Sequence, residues 1–447
     1  MKTRIFITVA GALLAALPAP AQYQLPPGTQ MPAPAVQAPA PQASAAAAEL
    51  DAAETQIAQG DYPAAHAAVE KYLQAHPADA RGLFDLGYVE QAQNESGQAE
   101  AEYRKAIAAD SKQFESRLAL GLMLAQQGKD DEARQLLQQA TLLTPATPNF
   151  AGQAHAFRAL AELDLVTDPA AAKQALLSAL KISPQTPHDL LLTAEIAEAN
   201  GDDGAAETAY RRLLAAQPPA EFAGAANAGL SHLLLQQKRY SEATAFIQSA
   251  LKQAPNDVAL NAQLATALIA EGENGQALPV LEKLRQLKPG DAAVDQMLAD
   301  AYAEMGQPGK ADPIFAEMVQ AEPGNAGVLA DQGRNYILEQ HFPQAQHVLE
   351  RAVQLNPADG EAWAGLAFAA TKNKQYPAAL KALLMRAKYL PETPASYFLW
   401  AISYDNDHQV RLAQEYYRKF LASDQGKLRD EEWQAKQRLS LLGHESR

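Results

Sequence analysis

The sequence contains no cysteine. That excludes disulfides, zinc–thiolate sites, thiol nucleophiles, iron–sulfur clusters and a lipid-modified N-terminal cysteine. Basic residues are scarce: 37 Lys and Arg stand against 52 Asp and Glu, a formal net charge of −15 over 447 residues. Nucleic acid and anionic membranes are held mainly by cationic side chains, so neither is an expected partner. The acidic excess lies before Ala401, because the segment from there to Arg447 carries eight charges of each sign. It reads as a solvated surface that keeps the chain soluble. Long apolar runs are also missing, so no membrane span is expected after the N-terminal segment. Catalytic signatures are absent as well. There is no Gly-rich phosphate loop, no His-Glu-x-x-His and no Gly-x-Ser-x-Gly elbow. The nine histidines are scattered. His341 and His347 stand six apart across a helix start and should not share a face, so solvent-facing rings are expected there rather than a metal site. The acid pairs Asp130-Asp131, Asp202-Asp203 and Glu431-Glu432 sit at helix starts, where carboxylates meet the positive end of the helix dipole. No enzymatic activity, cofactor or metal is expected.

What is present begins with a leader. Lys2 and Arg4 precede an uncharged, mainly apolar run from Ile5 to Leu17, and Ala19-Pro20-Ala21 offers small residues for cleavage before Gln22. Residues 1–21 therefore read as a signal peptide, with a retained N-terminal anchor as the alternative. Residues 22–48 are a linker: twenty of the 27 are Pro, Ala or Gln and none is charged. Six prolines bias it toward extended structure and deny it a packed core. A spacer is the simple reading, and a segment for a proline-reading domain is the other.

From Glu49 a helical period runs to Asp424. Pro255, Pro289, Pro323, Pro357 and Pro391 follow one another at intervals of 34 residues. Upstream of the last four stand Ala277, Ala311, Ala345 and Ala379, and four residues after each comes Leu281, Phe315, Leu349 or Leu383. Small residues let two helices approach, large ones fill the seam, and proline cannot carry the helix into the next unit. Gly128, Gly201, Gly272 and Gly306 are expected as left-handed caps of first helices. Two intervals are longer, Pro145 to Pro184 and Pro218 to Pro255, and each implies a longer first helix or loop. After Asp424, Trp433, Ala435, Leu439 and Leu442 recur at roughly helical spacing, as a capping helix requires.

This pattern resembles the tetratricopeptide repeat, a helix with Trp-x2-Leu-Gly-x2-Tyr, a turn, then Ala-x3-Phe and a closing Pro. The clearest matches are Leu120-Gly121 with Ala133 and Pro145; Leu298-Ala299 and Tyr302 with Ala311, Phe315 and Pro323; Gly333 and Tyr336 with Ala345 and Pro357; and Trp363 and Leu366 with Ala379 and Pro391. The resemblance implies an all-α, right-handed superhelical solenoid: about eleven helix-turn-helix repeats over residues 49–424, with a capping helix and tail over 425–447. It implies a non-catalytic scaffold that grips other proteins or peptide segments in a concave groove. With the leader, the expected protein is an exported bacterial one, periplasmic or cell-envelope associated, or secreted. Alternatives are a dedicated accessory of a polysaccharide-export or outer-membrane assembly machine and, more distantly, a carbohydrate-binding module.

Some members of the family clamp a C-terminal carboxylate with lysines and asparagines. The corresponding places here hold Leu118 and Leu122, Ala262 and Thr266, Gln296 and Asp300, Ala330 and Arg334, so no such clamp is expected. The expected binding surface follows from helix geometry. If Trp363, Leu366 and Ala370 pack inward, Phe368 points about 200° away, into the groove. Phe398 is displaced likewise from Trp400, Ile402 follows one turn later, and Arg334 holds the equivalent place one unit earlier. Arg334, Phe368, Phe398 and Ile402 form the expected partner patch; the opposing reading packs Phe398 and Ile402 under the capping helix. Phe84 and Tyr88 are the second choice.

Overall fold

The computed structural model describes residues 45–143 and 149–445. The expected signal peptide, the linker up to Ser44 and Pro145 lie outside the described residues. Among those described there are 23 helices and no strand. They fall into two compact units, residues 1–237 and 238–447. The first unit holds α1 (Ala45–Gln59), α2 (Tyr62–Ala75), α3 (Ala80–Ala92), α4 (Ser96–Ala109), α5 (Phe114–Gln126), α6 (Asp130–Leu142), α7 (Phe150–Asp164), α8 (Pro169–Ile182), α9 (Pro187–Ala199), α10 (Asp203–Ala215) and α11 (Ala220–Gln236). The second holds α12 (Tyr240–Leu251), α13 (Val258–Ala270), α14 (Asn274–Leu287), α15 (Ala292–Glu304), α16 (Pro308–Ala321), α17 (Ala326–Leu338), α18 (Phe342–Leu355), α19 (Gly360–Lys372), α20 (Tyr376–Arg386), α21 (Pro394–Asn406), α22 (Val410–Ser423) and α23 (Arg429–Glu445). Within each unit a helix packs on its partner in the pair and on the next pair, the arrangement of a helical solenoid. The first helix starts at Ala45, reaching into the alanine run read as the end of the linker; four consecutive alanines are strong helix formers.

The repeat is written into each boundary. Two residues after a proline comes a capping side chain: Asp257, Asp291, Asn325 and Asp359, also 34 apart. Each accepts from backbone N–H groups of the following first turn, Asp257 from Leu260 and Asp359 from Ala362 at 2.9 Å. Such a cap contributes about 1 kcal/mol. Thr393 continues the series with a reciprocal capping box to Ser396. The helix-ending glycines behave as expected, Gly272 and Gly306 at φ 78° and 69°. Asn94, Lys238, Gln340, Lys374 and His408 adopt the same left-handed backbone at φ between 59° and 65° without being glycine.

The small–large pairs form the seam. Ala277, Ala311, Ala345 and Ala379 are fully buried, against Leu281, Phe315, Leu349 and Leu383 at 1% exposure or less. A Cβ on Gly333 would lie 2.5 Å from Leu349 Cγ, so this crossing admits no larger residue without a shift. The two long intervals lengthen their first helices: α7 has 15 residues and α11 has 17, against 13 in α13, α15, α17 and α19. At the C-terminal end α23 seals the second unit. Ala435 and Leu442 are buried in a cluster with Phe398, Tyr417 and Phe420, and Arg438 donates to both oxygens of Asp405 at 2.7 and 2.6 Å. Trp433 departs from its expected packing place and is 65% exposed. It stands two residues before Ala435, about 200° around the helix, so the face that docks turns it outward.

Candidate functional site

In the second unit a polar ladder crosses two first helices. Gln296 and Asp300 lie one turn apart on α15, and Gln296 Nε2 donates to both Asp300 oxygens and to Asp331 Oδ2 on α17, all at 3.1 Å. Asp331 in turn pairs with Arg334, whose side chain is 46% exposed. Burial pushes the Asp300 carboxyl above the usual range, against the Gln296 hydrogen bond and the Arg334 charge. Two carboxylates therefore converge on one amide, one of them also pairs with a guanidinium, and that guanidinium reaches solvent. Phe368 on α19 is half-buried, meeting Phe342 edge to face at 6.1 Å, with Lys372 Nζ 5.3 Å from its ring centre.

The other expected patch residues are placed differently. Phe398 is 9% exposed with its ring tilted against Phe420 at 5.0 Å, and Ile402 packs on the same cluster as Ala435 and Leu442 of α23. They belong to the core that the capping helix closes, because a terminal first helix is covered by the cap as well as by its own partner. The second choice is corrected likewise. Phe84 is 5% exposed and lies 5.9 Å from Tyr103, and Tyr88 is half-buried on the neighbouring clusters. Leu118 and Leu122 are also core, packed with Ala156 and Leu160 of α7. Thr266 turns its hydroxyl to the Ala262 carbonyl at 3.0 Å.

The first unit carries titratable groups between α7 and α9. Asp189 is fully buried and accepts from Arg158 Nε and Nη2 at 2.7 and 2.9 Å. Burial pushes its carboxyl up, but the Arg158 and Thr186 hydrogen bonds outweigh burial and hold it below the usual range. Glu162 Oε1 lies 3.3 Å from His188 Nε2. Burial, with Glu195 and Asp189 nearby, pushes Glu162 up to about 8, and burial beside Glu198 pushes Glu195 to about 7. Burial, aided by Arg158 and His188, pushes His155 down to about 4.

Among the described residues, Asp312, Glu339 and His341 bring ligand atoms within 4.8 Å of one another, a spacing that suits a metal ion. His347 is not part of this group; it is exposed on α18. Asp312 stands 27 residues before Glu339, one repeat earlier, which is why the sequence around His341 did not reveal it.

The family model of the tetratricopeptide repeat matches residues 50–113, 84–149 and 191–258 in one form and 234–301, 268–330 and 336–397 in another. The chain belongs to the tetratricopeptide repeat family. Repeats of this family bind proteins or peptides and are generally non-catalytic scaffolds. The matches leave out all of α7 and α8, yet these helices pair like the others. No match was found among curated proteins. Solved structures similar to this tetratricopeptide repeat protein include a tetratricopeptide repeat protein from Parabacteroides merdae, 15% identical over 57% of this chain and 98% of that one, TM-score 0.41. PilF from Pseudomonas aeruginosa is 22% identical over 48% and 94%, TM-score 0.40. MamA from Desulfovibrio magneticus is 19% identical over 37% and 94%, TM-score 0.36. Among the described residues no helix is long and apolar enough to cross a membrane.

Proposed function

We propose that this tetratricopeptide repeat protein is a non-catalytic scaffold of the cell envelope that binds a partner segment along the first-helix face of its second unit. The ladder from Gln296 through Asp300 and Asp331 to Arg334 carries the reading, with half-buried Phe368 and exposed Lys372 one repeat after Arg334. Arginine and aromatic side chains near polar groups are frequent hot spots of protein interfaces. A carboxylate–amide–guanidinium ladder suits a peptide backbone and its charged side chains better than a sugar ring, which favours a protein partner over a glycan. Export rests on the leader pattern of Met1 to Leu17 and the small residues before Gln22.

The test is a pull-down from envelope extract with Arg334→Ala and Phe368→Ala, each first shown to melt as the wild type does. Both should reduce the captured partner about tenfold or more, the loss of roughly 1.4 kcal/mol at each anchor. If both keep the partner while deletion of the first three helix pairs abolishes it, the surface is not in the second unit. N-terminal sequencing of native protein should begin at or near Gln22; a chain that begins at Met1 in the cytosolic fraction defeats the export reading.

A further inference from the structure

The first unit has an open surface pocket of about 640 Å³ bordered by α2, α3 and α4. His66 and Glu70 face it from α2, Glu90 from α3, Glu95 from the turn and Glu102 from α4. The His66 ring spans two of the acids, with Nδ1 3.4 Å from Glu70 Oε2 and Nε2 3.9 Å from Glu90 Oε1. Glu102 pairs with Lys105 at 2.6 Å. Glu90 is the unusual member. It is 6% exposed, and its Oε2 is buried with no hydrogen-bond partner. An unpaired buried carboxylate oxygen is costly, so its presence calls for something that faces it.

The register of the repeat explains the space. Tyr302, Tyr336 and Tyr404 each stand three residues after the small residue of a first helix, Ala299, Gly333 and Ala401. Glu90 holds that place after Gly87. Where α15, α17 and α21 have a phenol ring, α3 has a shorter acid.

We propose that this pocket binds an organic cation, a guanidinium or primary ammonium group, with Glu90 as the buried carboxylate and Glu70, Glu95 and Glu102 around it. A guanidinium can give a carboxylate two parallel hydrogen bonds; Glu90 Oε2 is closed to solvent as it stands, so binding turns the carboxylate to present both oxygens to the pocket. The volume falls within the range of small-ligand sites rather than that of a bare ion. The described side chains close enough to share one metal ion lie elsewhere, at Asp312, Glu339 and His341. The same chemistry serves a free diamine-like molecule or the arginine or lysine of a partner protein.

Binding is linked to pH. Burial, then Glu102 and Glu95, raise the Glu90 carboxyl to about 7; Lys105 opposes them and Glu70 adds to them. His66 and the Tyr103 hydroxyl complete the titratable groups around it. A cation favours the ionised form, so affinity should rise about tenfold between pH 6 and 8.

The experiment is calorimetric titration of the full chain with agmatine, with a capped arginine-containing peptide and with calcium, at pH 6 and 8. Two variants accompany it. Glu90→Gln keeps the shape and removes the charge, and Glu90→Tyr supplies the ring that α15, α17 and α21 carry at this place and should fold at least as well. Agmatine should saturate the wild type, more tightly at pH 8, and both variants should weaken it at least tenfold. Trp433→Ala, on the exposed face of α23 in the other unit, should leave it unchanged. Tighter binding of the peptide would identify a partner side chain as the source of the cation, and tighter binding of agmatine a free molecule. No saturation by either probe, equal binding by Glu90→Gln, or preference for calcium would overturn the proposal.

Discussion

The two units use one repeat and fill its interior with different chemistry. In the second unit the first helices contribute rings: Tyr302, Tyr336, Trp363, Trp400 and Tyr404, with Trp400 stacked 5.5 Å from Tyr404. In the first unit comparable helices place Glu90, Glu162, Glu195 and Glu198 where burial raises their carboxyls, and Tyr210 donates its hydroxyl to Glu198. The repeat needs a small residue and a large one at the helix crossing, and both units supply them. The remaining inward places tolerate either an aromatic or an acid whose carboxyl burial raises. The aromatic unit should therefore be sensitive to cavities and the acidic unit to pH.

The largest effect should come from cutting a ring out of the second unit. Trp363 is 9% exposed and its indole N–H donates to the Pro357 carbonyl at 2.9 Å. Trp363→Ala should cost about 3–5 kcal/mol. In a solenoid each repeat contacts its neighbours, so hydrogen exchange should speed up in α18 to α20 while α3 to α6 keep their protection. Equal loss in both units would erase the contrast between them.

The first unit is tested by pH. The Glu162 and Glu195 carboxyls titrate higher when folded than their ordinary value of 4.5. The folded state then binds more protons than the unfolded one, and stability falls as pH rises through that window. His155, pushed down to about 4, works the other way below pH 6.5, because its folded form binds fewer protons there. The clear interval is therefore pH 6.5 to 8.5. Over it the wild type should lose stability, and Glu162→Gln should recover on the order of 1 kcal/mol at pH 8.5 and little at pH 5. Calorimetric scans of the full chain at the three pH values measure this; a variant that gains as much at pH 5 would remove titration as the cause.

The smallest expected effect lies in the turns, which the units share. Lys374 sits at φ 59°, where Gly272 in another repeat sits at 78°. Lys374→Gly should stabilise by about 0.5–1 kcal/mol, since a side chain in the left-handed region costs about that much. A urea midpoint that does not rise would show that the lysine stem offsets the strain.

Much of the fold was legible in the residues. The 34-residue period, the small–large pairs, the prolines, the glycine turns and the lengthened first helices are local or strictly periodic, and each repeat buries the same face for the same reason. The series of capping residues at Asp257, Asp291, Asn325 and Asp359 was equally readable, two places after each proline. The candidate sites were legible only in part. Counting degrees around one helix singles out Arg334 and Phe368, and the structure has Arg334 part-exposed and Phe368 half-buried against Phe342. Phe398, Ile402 and Phe84 could not be placed that way, because whether a face is open depends on what the next helix covers. The acid at Glu90 broke the family pattern in plain view, but the pocket in front of it needs α2 and α4 to be laid beside α3.

The sequence by itself therefore determined the helices, their pairing and the residues at each crossing, since those follow from spacing of about one turn or one repeat along a single chain. Only the tertiary structure decided that Trp433 faces outward, that Gln296 meets Asp331, that Asp312 reaches Glu339 and His341, and that Glu90 lacks a donor. Each of these depends on the rotation of one helix about its axis relative to helices of neighbouring pairs. That rotation is set by the packing of whole side-chain surfaces, which no local period encodes.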